Sequence, residues 1–129
     1  MPEQILEGRR ILVVEDEYLL AEDLRLDLQA AGAVIIGPVG TVKDALRAVA
    51  AAERIDGALL DINLGGEMVY PVGDLLSERG VPFVFTTGYN AGSVPDRFWH
   101  VRICGKPVDL VEPTAVLLAR AFFGHWSSA

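Results

Sequence analysis

Asp61 closes the apolar run Gly57, Ala58, Leu59, Leu60, and the chain then breaks into Asn63, Gly65 and Gly66. Three other apolar runs end in the same way. Glu15, Asp16 and Glu17 follow "ILVV"; Thr86, Thr87 and Gly88 follow "PFVF"; Gly105, Lys106 and Pro107 follow "VRIC". An aspartate after an apolar run is by itself more often a turn former, and Glu15 and Asp16 would also suit the start of a helix. Their joint occurrence points further. Three carboxylates meeting in one pocket repel each other and resist ionisation. A divalent cation removes that penalty, and Mg²⁺ favours one or two carboxylates, waters and phosphate oxygens. A carboxylate is also a competent nucleophile that forms an aspartyl phosphate. Such a transfer asks mainly for positioning and for neutralisation of spreading charge. On this reading Asp61 accepts a phosphoryl group, Glu15 and Asp16 hold the metal with it, Lys106 supplies countercharge and Thr87 hydrogen-bonds a phosphoryl oxygen.

The reading requires elements that bring these residues together. Five runs have strand length, at 11–14, 33–39, 57–61, 82–86 and 101–105. Being continuously apolar rather than alternating, they predict strands covered on both faces. Helical patterns lie between them. In 17–31, Leu20, Leu24 and Leu28 share a stripe, and Gly32 stands at the expected C-terminal cap. Residues 41–52 open on "TVKD", a capping-box-like start. A shorter helix is expected over 72–79, closed by Gly80, and another over 113–123, with Pro113 in a tolerated first-turn position. The stretch "NAGSVPDRFWH" predicts a single turn or a loop. The alternation implies right-handed crossovers and helices on both faces of a sheet. The expected fold is therefore α/β, a flavodoxin-like (βα)₅ three-layer sandwich with a five-stranded parallel sheet and a short or irregular fourth helix. Ligands of such sheets bind beyond the carboxyl ends of the strands, where the residues above stand.

Bulk properties agree with a single globular domain. The chain has 129 residues, 51% of them hydrophobic and 22% charged, with a formal net charge of −7. That charge argues against general attraction to nucleic acid or to anionic membrane. The longest uncharged stretch, 80–95, is too short to span a bilayer and contains Gly and Pro. A lone cysteine, Cys104, fits a reducing compartment and reads as a small buried hydrophobe. His100 and His125 lack metal-ligand spacing. The expectation is a cytoplasmic protein of one domain, 1–129 with its core at about 10–123, without an output domain.

With "ILVVEDE", "LLDINL", "FTTGY" and "GKP" in that order, the chain resembles a response-regulator receiver domain over 10–123. The stretch "PFVFTTGY" also resembles the "FATGUY" type of small stand-alone receivers. The resemblance implies phosphorelay signalling. Asp61 would be the phospho-acceptor, and Glu15, Asp16, Asp61 and the Asn63 backbone carbonyl would hold Mg²⁺. Thr87, aligned by the small Gly88 after it, would be the switch hydroxyl, and Lys106 would pair with the phosphoryl group; the bond corresponding to Lys106–Pro107 is often cis in the family. Partners would be a sensor histidine kinase or a histidine phosphotransfer protein. The chain would signal through protein contacts or act as a phosphate sink, and would not be an enzyme.

Two departures from the family pattern stand out. Ile103 replaces the usual aromatic three residues before the lysine, and Gly65 replaces the usual proline four residues after the acceptor. Movement of 88–102 would then replace the aromatic flip. Asn63 and Tyr89 would flank the site and tune hydrolysis. Phe98, Phe122 and Phe123 read as packing residues, whereas Trp99 and Trp126 leave room for a partner surface or a homodimer. Two rival readings are a Mg²⁺-dependent aspartyl-phosphate phosphatase and a non-phosphorylated flavodoxin-like binding module. The first lacks its second acid, since Asn63 stands there. The second lacks a hydroxyl-rich phosphate loop after the first strand, where "EDE" would repel a flavin phosphate.

Overall fold

The computed structural model describes residues 4–88, 94–106 and 114–123. Five parallel strands form one sheet in the order β2-β1-β3-β6-β7: β1 (Arg10–Val14), β2 (Val34–Val39), β3 (Gly57–Asp61), β6 (Phe83–Thr87) and β7 (Ile103–Gly105). A two-stranded antiparallel hairpin, β4 (Asn63–Leu64) with β5 (Glu67–Met68), follows β3 directly. The helices are α1 (Tyr18–Ala30), α2 (Val42–Ala51), α3 (Tyr70–Glu78) and α4 (Thr114–Phe122), with one 3₁₀ turn at Asp96–Phe98. This is the expected flavodoxin-like architecture, with a single 3₁₀ turn in the described part of the fourth helical region.

Strand periodicity divides the core into two layers. Leu12, Val14, Ala58, Leu60, Phe83 and Phe85 pack with α2 and α3, while Ile11, Val13, Leu59 and Val84 pack with α1 and α4. The central strand β3 is buried throughout, as its unbroken apolar run predicts. The two edge strands depart from that expectation. In β2 no residue is fully buried and Val34 is exposed, while β7 extends over three residues and exposes Ile103. A continuous apolar run signals a strand, but edge position denies it a neighbour on one side. The register of β1 on β2 also shifts between Leu12 and Val14, near the cis Gly37–Pro38 peptide.

Local signals account for most helix boundaries. The Thr41 hydroxyl accepts the Asp44 N–H at 3.0 Å and caps α2. Gly32, with φ +96°, follows α1 as expected. Helix α3 starts at Tyr70, two residues before the expected 72, because Pro71 is tolerated in the first turn. Pro113 and Gly124 lie outside the described residues.

Four aromatic rings fasten the 3₁₀ turn to the sheet. Phe98 is buried, its ring centroid 5.7 Å from Tyr70, 5.3 Å from Phe85 and 6.0 Å from Phe83. The Arg97 guanidinium makes two hydrogen bonds to the Asp74 carboxylate of α3, at 2.8 and 3.1 Å. Phe98 is thus a packing residue, as expected, whereas Trp99 is 85% exposed. Because Phe98 fills a space bounded by two strands and a helix, Phe98→Ala should cost about 3 kcal/mol of unfolding free energy, measured by urea denaturation. A loss below about 1 kcal/mol would show that the 3₁₀ turn does not depend on this anchor.

Candidate functional site

Strand register gathers the predicted residues at one edge. Val14 lies opposite Leu60, so Glu15 and Asp16 emerge beside Asp61. Asp61 lies opposite Thr86, and Thr87 opposite Gly105, so Lys106 emerges one residue beyond Thr87. Main-chain bonds fix these ends: Glu15 N–H to the Val39 carbonyl at 2.9 Å, Ile62 N–H to Thr86 at 3.0 Å and Lys106 N–H to Thr87 at 3.0 Å.

Lys106 Nζ lies 2.9 Å from Asp61 Oδ2 and 3.2 and 3.3 Å from the two Glu15 oxygens. All three side chains are nearly excluded from solvent. Main-chain N–H groups hold the same carboxylates. Asp61 Oδ1 accepts the Asn63 N–H at 3.2 Å, and Glu15 Oε2 accepts the Glu17 N–H at 3.0 Å. Asp16 is exposed and forms the open side of the cluster. Glu15, Asp16 and Asp61 each offer an oxygen, and these oxygens lie within 4.8 Å of one another. An all-oxygen donor set of this kind suits a hard divalent cation.

Burial disfavours the charged form of both inner acids. It pushes the Glu15 carboxyl up to about 7, against the Glu17 N–H and with further upward push from Asp61, while Lys106 opposes it. Asp61 is raised as well, by burial first, against Lys106 and the Asn63 N–H. For Lys106, burial works downward, but its hydrogen bond to Asp61 and the charge of Glu15 outweigh it and hold the ammonium above its usual range.

The two threonines separate clearly. Thr86 is buried inside the sheet, whereas Thr87 is half-buried at the strand end. Tyr89, Pro107, His125 and Trp126 lie outside the described residues, and the Lys106–Pro107 bond does too. Cys104 is buried, as expected. Two features were missed in the sequence. One is that Lys106 donates hydrogen bonds to Glu15 as well as to Asp61. The other is the β4–β5 hairpin, for which the Gly65-Gly66 pair was the available signal.

No family model matches the chain. Solved structures do. SdrG from Sphingomonas melonis Fr1 is 40% identical, with a TM-score of 0.73 over 88% of this chain and 94% of its own. The receiver domain of the response regulator PhyR from Erythrobacter litoralis is 26% identical, with a TM-score of 0.73 over 96% and 97%. The chain belongs to the response-regulator receiver domains. The phyllosphere-induced regulator PhyR of Methylorubrum extorquens is 31% identical in an alignment of 121 positions that covers 88% of this receiver but 43% of that protein. The receiver thus spans less than half of that curated relative. Among its described residues, no helix is long and apolar enough to cross a membrane.

The raised Glu15 value sets a sign for stability. Between 4.5 and about 7 the folded receiver keeps a proton on Glu15 that the unfolded chain has released. Folding then binds protons, so stability falls as pH rises through that window. In EDTA the melting temperature should drop from pH 5 to pH 7.5, and Glu15→Gln should flatten the profile. Lys106→Met should remove about 3 kcal/mol at pH 8, because it leaves buried carboxylates without a cation. The loss should shrink at pH 5, where those carboxyls take up protons, and urea titrations at the two pH values measure both.

Proposed function

We propose that this receiver takes a phosphoryl group onto Asp61 in a Mg²⁺-dependent relay. The observation that carries the reading is the placement of the Asp61 carboxylate at the end of the central strand. One oxygen lies 2.9 Å from Lys106 Nζ, and Glu15, Asp16 and Asp61 each offer an oxygen within 4.8 Å of one another. A beryllium trifluoride-activated conformation of SdrG, 37% identical with a TM-score of 0.69, supports it, since that group mimics a phosphoryl group on a carboxylate.

Asp61 attacks phosphorus as the P–N bond of a phosphohistidine donor breaks, and the released imidazole nitrogen takes up a proton. Glu15, Asp16, Asp61 and the Asn63 backbone carbonyl would hold the cation, which would supply screening of the charge on acids and phosphoryl oxygens. Lys106 moves from carboxylate to phosphoryl oxygen, and Thr87 donates its hydroxyl to another. The donor is a sensor histidine kinase or a histidine phosphotransfer protein. The modified site shifts the balance between two conformations and so changes what the surface binds. With exposed Ile103 in place of an aromatic, the segment after Thr87 carries that change. The receiver acts in the cytoplasm through protein contacts or as a phosphate sink, and it is a signalling domain rather than an enzyme.

Acetyl phosphate with Mg²⁺ should add one phosphoryl group by intact mass. Asp61→Asn should abolish the gain, and so should EDTA. Failure to gain mass from acetyl phosphate, phosphoramidate and carbamoyl phosphate alike would overturn the proposal.

A further inference from the structure

The side chain of Asn63 does not face solvent idly. Its Oδ1 accepts the N–H of Gly66 at 2.6 Å, while its own N–H donates to Asp61 Oδ1 at 3.2 Å. One residue therefore grips the β4–β5 turn with its side chain and the Asp61 carboxylate with its main chain. We propose that Asn63 is a positioning residue: by closing the turn on Gly66, its amide side chain holds its own N–H against Asp61 and orients the carboxylate. The proposal rests on Asp61 being the acceptor.

The hairpin needs such a brace. Its ladder pairs Asn63 with Met68 and Leu64 with Glu67, and nothing more. A hairpin this short is marginal without added contacts. Its base is secured by buried Leu64 and Val69 and by the Val69 N–H, which donates to the Ile62 carbonyl at 2.9 Å. Its tip is Gly65 and Gly66, with φ of +64° and +101°, values that glycine adopts without strain. The Asn63 amide secures this tip. The tip also borders a second acid, since a Cβ added to Gly65 would lie 3.9 Å from Asp16 Oδ2. A turn that opened would loosen the support of Asp61 and the neighbour of Asp16 together.

The Asp61 oxygens are thereby assigned. Oδ1 faces the Asn63 N–H and Oδ2 faces Lys106. A carboxylate held at both oxygens cannot swing freely, and groups that orient a metal ligand commonly change affinity by about 10- to 100-fold. This role differs from direct action of the Asn63 side chain on a phosphoryl oxygen, which would use the amide NH₂ rather than the Oδ1 that holds Gly66.

Four variants decide between the roles: Asn63→Ala, Gly66→Ala, the double variant and Asn63→Asp. Gly66→Ala disturbs the same turn without touching residue 63. Mg²⁺ alone is titrated against the ¹⁵N-labelled protein, Gly66 amide exchange is measured, and the initial rate with acetyl phosphate is followed by mass. Asn63→Ala and Gly66→Ala should each weaken Mg²⁺ binding and slow the transfer by roughly tenfold. The double variant should be no worse than either, because both break one device. Asn63→Asp, which keeps the acceptor, should retain Gly66 protection that Asn63→Ala loses. Wild-type Mg²⁺ affinity in Asn63→Ala, or independent losses that multiply in the double variant, would overturn the proposal. If the parent protein takes up no phosphoryl group, the acceptor reading fails, while the Mg²⁺ and exchange comparisons still decide the role of Asn63.

Discussion

Two carboxylates and one ammonium, almost shut off from water, are the constraint around which this receiver is arranged. Glu15 and Asp61 repel each other and each loses hydration on burial, while Lys106 reaches both. At such distances attraction is strong when water is excluded, but so is the penalty for burial. With both inner acids ionised, the two carboxylates outweigh the single ammonium, and Asp16 adds negative charge from the open side. A site that remains acidic after its internal pairing is suited to a divalent cation, and a lysine held between two acids is free to exchange one of them for a phosphoryl oxygen.

Holding that cluster together is a matter of register. Lys106 and Glu15 stand 91 residues apart and Lys106 and Asp61 stand 45 apart. Three strands must end at the same height for the groups to meet. The central strand supplies the reference, since β3 is buried along its whole length and paired on both sides. The edge strands carry the irregularities. β2 contains the register shift and β7 is short. Irregularity is tolerated where fewer neighbours depend on the strand, and the acceptor stands on the strand that tolerates least.

The departures from the family pattern acquire a physical setting. Gly65 occupies a turn position with positive φ, which proline cannot adopt. Its place is in a hairpin that closes over the acid cluster. Ile103 lies exposed on an edge strand, paired with Phe85 in the register, while the aromatic mass on that face is concentrated in Tyr70, Phe83, Phe85 and Phe98. Phe98 and the Arg97–Asp74 pair tie the 3₁₀ turn to α3, so displacement of this region would have to draw on those contacts.

Much was legible in the chain itself. Apolar runs marked all five sheet strands, and periodicity with caps marked the helices to within about two residues. Acids, hydroxyls and lysine at the ends of those runs marked the candidate site, because a parallel sheet presents its carboxyl ends together. Tertiary structure decided what local pattern does not encode: that β2 and β7 lie at the edges and lose burial, that Lys106 bonds both acids, and that Asn63 turns its side chain to Gly66. The reason is the range of the forces involved. Strand and helix propensity act between near neighbours in sequence, whereas edge position, desolvation and the pairing of charges depend on which distant segments come to lie side by side.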